Sequence, residues 1–170
     1  MVKFDLPKPF PEKLINPCRF LKSQSPLPSR FPKYISHGQQ DGRRYLILEN
    51  ITKPIEEYII ENENIYFDTI IKDLGMQMLD AIKQLHELGY VHRDITPNDF
   101  CMEGNKVYLT DFANVKQCRD QVKFILSESS GLEIDDISIV SCSINAHKRK
   151  TLSYRDDLES LGYILLGYLV

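Results

Sequence analysis

The stretch Tyr90-Val-His-Arg-Asp-Ile-Thr-Pro-Asn-Asp-Phe100, followed by Leu109-Thr-Asp-Phe-Ala113, constrains this chain more than any other part of it. Each piece carries an acidic residue out of an apolar run and into a loop. A helix-like segment precedes the first and a short strand-like run separates the two. Such a layout suits one site that needs two carboxylates from different loops. In phosphoryl transfer one carboxylate orients the attacking hydroxyl and accepts its proton, while others hold the Mg²⁺ that bridges the nucleotide phosphates. Asp94 suits the first role and Asp111 the second.

The two motifs resemble those of eukaryotic protein kinases, in which His-Arg-Asp opens the catalytic loop and Asp-Phe-Gly opens the activation segment. Either tripeptide alone is a weak signal; both, in the right order and about the right distance apart, form a specific constellation. Ser143-Ile-Asn-Ala-His147, followed by Arg155-Asp-Asp-Leu-Glu-Ser-Leu-Gly-Tyr163, narrows the resemblance to the casein kinase 1 superfamily, with its tau-tubulin and vaccinia-related relatives. That superfamily has a Ser-Ile-Asn type motif where most kinases have Ala-Pro-Glu. The resemblance covers residues 31–170 and implies an α+β fold: a partial small-lobe hairpin, then the first half of a mostly helical large lobe. The implied organisation is a proline-rich remnant of the small lobe over 1–30, hairpin and hinge over 31–53, and a partial large lobe over 54–170. With 170 residues the chain is shorter than a two-lobed kinase needs, so the expectation is a core truncated at both ends.

Residues 1–30 contain Pro7, Pro9, Pro11, Pro17, Pro26 and Pro28. Each proline removes a donor and fixes a dihedral, so this region reads as mostly loop. Val2-Lys3-Phe4 is, by resemblance, a candidate for the strand whose lysine contacts the phosphates; the plainer reading, which the sequence favours, makes Lys3 an ordinary terminal lysine. Glu12 is a weaker candidate for that lysine's partner. No glycine precedes Gly38, so no Gly-rich phosphate loop is encoded in these residues.

The runs 31–39 and 43–49 flank an Asp41-Gly42 turn and predict a hairpin. By resemblance Glu49-Asn50-Ile51 is then the hinge whose backbone meets adenine, with Glu49 and Ile51 as nucleotide-binding candidates. Pro54 opens a short helix with Ile55, Tyr58 and Ile59 on one face. From 67 to 88, Ile71, Leu74, Met78, Ile82 and Leu85 recur at helical spacing and predict a buried amphipathic helix ending at Gly89. Met76 and Met78 are read as core fillers, and His86 as a surface or satisfied histidine.

Within the first motif the resemblance makes His92 a buried structural residue, Arg93 a contact for a phosphorylated activation segment through its bidentate fork, and Asp94 the hydroxyl-orienting carboxylate. Two positions depart from the family. Thr96 stands where many serine/threonine kinases have the lysine that steadies the transferring phosphate, and offers only a neutral hydroxyl. Asp99 stands at the metal-binding asparagine position; it can coordinate Mg²⁺ through oxygen but adds charge beside Asp111. Residues 100–102 and 106–110 predict a second hairpin about Gly104-Asn105 that delivers Asp111. Ala113 replaces the usual glycine, narrowing backbone freedom. Residues 114–140 read as the activation segment, with Ser127, Ser129, Ser130 and Ser138 as phosphate acceptors, and Ile137-Ser138 replaces the relatives' Gly-Thr. The last helix, 154–170, is expected to turn Leu158, Leu161, Ile164, Leu165 and Tyr168 inward. Asp157 matches the aspartate that tethers the catalytic-loop backbone in kinases.

Cys18, Cys101, Cys118 and Cys142 form no CxxC pair and read as reduced thiols of a cytoplasmic or nuclear protein. A net charge of -3 gives no reason to expect nucleic acid, and the apolar end, 161–170, is too short to span a bilayer. The expected function is a protein serine/threonine kinase-like core using ATP and Mg²⁺ on a protein substrate, weak or inactive as this chain. The alternative is a pseudokinase remnant acting as a binding or scaffold module.

Overall fold

The computed structural model describes residues 2–4, 15–24, 26–41, 43–51, 53–62, 67–118 and 140–169. The architecture is α+β, with small antiparallel sheets set against helices. The first sheet has the order β1-β3-β2, from β1 (Val2–Phe4), β2 (Tyr34–Gln40) and β3 (Arg43–Leu48). The turn between β2 and β3 forms because Asp41 adopts a left-handed backbone (φ 51°), which Asp tolerates better than most side chains. Lys3 pairs with Leu46 across β1 and β3, so the Val2-Lys3-Phe4 stretch is a strand of this sheet.

The proline-rich beginning is not all loop. Helix α1 (Ile15–Ser23) forms there, because Pro17 falls in its first turn, where a missing N–H leaves no intrahelical bond unmade. Its residues Phe20 and Leu21 are buried. Glu12 lies outside the described residues.

After β4 (Lys53–Pro54), α2 (Ile55–Glu61) begins directly behind Pro54 and buries Ile55 and Ile59. Helix α3 (Phe67–Glu87) is the central element. Ile71, Leu74, Met78, Ile82 and Leu85 are all buried, each contributing about 1.5–3 kcal/mol of transfer free energy. Met76, expected to fill the core, is instead 61% exposed; it sits two residues, about 200°, round the helix from Met78. The helix stops where Gly89 takes φ 81° and its N–H bonds the His86 carbonyl.

Strands β5 (Tyr90–Val91) and β8 (Lys116–Gln117) pair, as do β6 (Phe100–Glu103) and β7 (Lys106–Leu109), the latter turning at Gly104 with φ 58°. A short α4 (Ile144–His147) leads to α5 (Tyr154–Leu169). The inner stripe of α5 is Leu161 and Ile164, with Leu165 and Tyr168 partly buried against the same core. Leu158, expected inside, is 43% exposed, because that end of the helix turns Asp157 inward instead. Among the described residues no helix is long and apolar enough to cross a membrane.

Candidate functional site

The two acid-bearing loops are held together from beneath by the start of α5. Asp157, whose side chain is 1% exposed, accepts the backbone N–H groups of His92 and Arg93 through Oδ2 and Oδ1, both at 2.8 Å. His86 Nε2 donates to the same Oδ2 at 2.7 Å, and its ring stacks on Tyr154 at 4.3 Å. His86 is therefore a satisfied histidine, and it helps to orient the carboxylate that fixes the loop. Arg93 needs fixing: its φ of 78° is a conformation that non-glycine residues adopt only when their surroundings enforce it.

The second loop is joined to the first by several bonds. His92 is buried and its Nε2 donates to the Asp111 carbonyl at 2.8 Å. Thr110 donates to the Asp99 carbonyl from both its backbone N–H, at 2.7 Å, and its hydroxyl, at 3.1 Å. Asn114 Nδ2 donates to Asp94 Oδ2 at 3.0 Å, while Arg93 Nε donates to the Asn114 carbonyl at 2.6 Å. Asp111 Oδ1 accepts the Ala113 N–H at 2.8 Å. Phe112 anchors this loop against α1: its ring lies 5.2 Å from Phe20 and 5.0 Å from Phe31. Asp94, Asp99 and Asp111 thus stand on one hydrogen-bonded assembly.

Asp99 is perturbed by its surroundings. Its pKa is raised to about 6, chiefly by burial and also by the charge of Asp111, against the opposing effect of His92 and the Thr96 bonds. Its Oδ2 accepts the Thr96 N–H at 2.7 Å and the Thr96 hydroxyl at 3.1 Å, across a 3₁₀ turn over Pro97–Asp99. The Thr96 hydroxyl is thus engaged with Asp99. Burial likewise lowers the pKa of the Arg93 guanidinium, against the pull of Asp157 and Asp94.

Both Asp99 and Asp111 offer hard oxygen donors, and the charge of Asp111 makes that of Asp99 costly. Carboxylate oxygens are the donor type that Mg²⁺ takes, but among the described residues no group of three or more His, Cys, Asp or Glu side chains is gathered as a metal site. The stretch expected to meet adenine forms a tight turn at the exit of β3. Ile51 is buried and its N–H bonds the Glu49 carbonyl at 3.0 Å. Glu49 Oε2 accepts the Lys33 N–H at 3.2 Å and Oε1 lies 3.3 Å from Lys33 Nζ, with its pKa lowered chiefly by that backbone bond. Lys3 stands on β1, two strands from the sheet's other edge; its side chain is outside the described residues.

A cavity of about 530 Å³ opens beside the cluster, lined by Arg19, Phe20, Ser23, Tyr90, Arg93, Val115, Lys116 and Gln117. Ser127, Ser129, Ser130 and Ser138 lie outside the described residues. Cys101, Cys118 and Cys142 are buried, and no disulfide joins them to one another.

Asp156 escaped the sequence reading. It is buried, and its Oδ1 accepts the Ser143 hydroxyl at 2.8 Å and Asn145 Nδ2 at 3.0 Å. Its Oδ2 accepts the Ser153 N–H at 2.7 Å and hydroxyl at 3.1 Å. It fastens the Ser-Ile-Asn motif to α5 as Asp157 fastens the catalytic-type loop. The Ser153-x-x-Asp156 spacing is the signal that could have found it, since a hydroxyl residue followed three positions later by an acid marks a reciprocal helix cap. Asn114 carried no comparable signal.

The sequence profile of the protein kinase domain matches residues 22–132. A probable casein kinase I homolog of Encephalitozoon cuniculi is 29% identical over 73% of this chain and 41% of its own length. The B1 kinase of Monkeypox virus is 26% identical over 74% of this chain and 43% of its own. A probable serine/threonine-protein kinase of fowlpox virus is 30% identical over 74% of this chain and 42% of its own. The chain spans about two fifths of the length of these relatives.

Proposed function

Because the chain belongs to the protein kinase domain family, we propose that its acidic cluster is a phosphoryl-transfer site of casein kinase 1 type, acting on serine or threonine of a protein substrate with weak or no turnover as this chain. In this reading residues 1–30 are a small-lobe remnant, 31–53 supply the hairpin and hinge, and 54–170 form part of the large lobe. Mg-ATP, when bound, supplies the phosphoryl group and the cationic charge that stabilises its transfer. Asp94 orients the substrate hydroxyl and takes its proton, and the Asn114 bond holds its carboxylate in one rotamer. Asp111 and Asp99 are the metal-holding pair. The turn at Glu49 and Ile51 borders adenine, Lys3 is the candidate phosphate contact, and Arg93 faces a cavity suited to an activation-segment phosphate.

The observation that carries this reading is the joining of Asp94, Asp99 and Asp111 through Thr110, His92 and Asn114. Weak turnover follows from the departures within that cluster. Thr96 brings no cation to the transferring group, and its hydroxyl already donates to Asp99. That bond also favours a second reading, a pseudokinase module that holds nucleotide or a partner without turnover.

Incubating the purified chain with Mg-ATP and casein is expected to give little or no phosphate incorporation. Robust incorporation that vanishes in Asp94→Ala overturns the weak-turnover reading. A Mg²⁺-dependent rise in melting temperature with ATP supports nucleotide holding, and its absence at millimolar nucleotide leaves only partner binding. A reducing, cytoplasmic or nuclear compartment suits cysteines that are buried and not cross-linked to one another.

A further inference from the structure

The turn that follows α4 carries Lys148, Arg149 and Lys150 in succession, all exposed. Its backbone is fixed as a helix stop: the Arg149 N–H bonds the Ala146 carbonyl and the Lys150 N–H bonds the Asn145 carbonyl, both at 2.9 Å. This pairing places residue 149 in the left-handed region, at φ 54°, the position that helix ends usually give to glycine. An arginine there adds backbone strain, and its charge sits between two like charges. Strained positions of this kind cluster at binding and switch sites.

No salt bridge reaches Lys148, Arg149 or Lys150 among the described residues. Arg155 adjoins Asp156, which grips Asn145 of the same turn, and the Arg155 side chain is 76% exposed and no nearer than 3.9 Å to Asp156. Among the described residues, the acids close by in sequence are turned elsewhere. Asp156 is buried with both oxygens engaged, and Glu159 Oε1 accepts the Ile144 N–H and the Tyr163 hydroxyl. On the same helical face as Lys148, one turn earlier, Ile144 is 52% exposed, so an apolar contact adjoins the cations. The patch is anchored near the acidic cluster: Asp156 grips Ser143 and Asn145, and the Ser141 hydroxyl donates to the Ile95 carbonyl at 2.9 Å.

We propose that Lys148, Arg149, Lys150 and Arg155 form a docking site for a short Asp/Glu-rich segment of a partner protein. Charge complementarity selects the chemistry, and the scale of the patch selects the partner. The cations lie on a single turn with an exposed Ile144 beside them, a small mixed charged and apolar surface that a short acidic peptide with an apolar residue matches better than a duplex or a bilayer does. A short peptide lying within a screening length of about 8 Å senses chiefly the local cations. The site is independent of turnover and is tested without nucleotide.

The probe is a fluorescently labelled ten-residue peptide of alternating Asp and Glu about a central Leu, titrated with the full chain at low salt and read by anisotropy. Saturable binding is expected, weakened by added salt and reduced about tenfold or more in Lys148→Gln/Arg149→Asn/Lys150→Gln. Asn is chosen at 149 because it tolerates the left-handed backbone. Arg149→Gly separates strain from charge: its melting temperature should rise by roughly 2–4 °C while peptide binding weakens. Equal binding by wild type and the triple variant overturns the proposal, as does no binding by wild type. Tighter binding to phosphatidylserine vesicles or to a single-stranded oligonucleotide than to the peptide also overturns it. A fall in the melting temperature of Arg149→Gly removes the strain argument and with it the case for a retained cation.

Discussion

Asp156 and Asp157 at the start of α5, and Asp94 and Asp99 on the loop above them, are the same residue type in two different settings. The first pair is buried with its oxygens engaged by backbone N–H groups and short polar side chains. In the second pair Asp94 is half-buried and held by Asn114, and Asp99 is buried beside another carboxylate. A buried carboxylate surrounded by donors supports the fold, whereas one crowded by a like charge opposes it. The frame of the site is therefore stronger than its working face, and its departures from the kinase pattern, Thr96 and Asp99, lie on the working face.

The largest test of that contrast is Asp157→Ala. It strands the His92 and Arg93 N–H groups and releases Arg93 from a strained conformation, so a loss of about 3–5 kcal/mol is expected, read by urea denaturation. Asp156→Ala leaves Ser143, Asn145 and Ser153 without their shared acceptor and should cost about 3 kcal/mol. If either substitution costs less than the scatter of the measurement, the frame is no firmer than the face and the contrast fails.

The frame was also the more legible half. The spacing of Ile71, Leu74, Met78, Ile82 and Leu85 gave the face of α3, because a stripe at helical period has one burial solution. The same logic misjudged Leu158, whose place at the end of α5 is governed by the inward carboxylate of Asp157. It also misjudged Met76, where residue type was followed in place of phase. Helix α1 was hidden by composition, since counting prolines does not reveal that Pro17 occupies a first turn. At the site, the two motifs located Asp94 and Asp111, but not the bond from Asn114 to Asp94. Nor did they reveal that the Thr96 hydroxyl faces Asp99. Side-chain partners across different loops leave no periodic trace.

Asp99→Asn probes the working face with opposite sign. In the fold the Asp99 pKa is raised from 3.8 to about 6, so the folded state holds the proton more tightly than the unfolded chain does. Below about pH 4 both states are protonated and no cost arises. The cost grows as pH rises through 6 and is complete above it. The shift corresponds to a ceiling of about 3 kcal/mol; the charge-assisted bonds from Thr96 that asparagine weakens leave a net gain of about 1–2 kcal/mol. Urea melts in EDTA should show Asp99→Asn more stable than wild type at pH 8 and no more stable at pH 4. An equal gain at both values would mean that the carboxylate's charge is not the source.

Asp94→Ala should be the mildest change in stability, under about 1 kcal/mol, because the side chain is half-buried and other bonds hold its loop: Asp157 to residues 92 and 93, Thr110 to Asp99, and Ser141 to Ile95. Its value lies in what it should leave untouched. If Asp111 and Asp99 hold the metal, the Mg²⁺-dependent thermal shift with ATP persists in Asp94→Ala and is lost in Asp111→Ala, while any trace of casein phosphorylation disappears in both. Loss of the nucleotide shift in Asp94→Ala alone would place Asp94 in ground-state binding, because a residue acting only on the attacking hydroxyl has no partner until substrate arrives. The two variants together therefore separate a carboxylate that holds from one that orients, within a single hydrogen-bonded cluster.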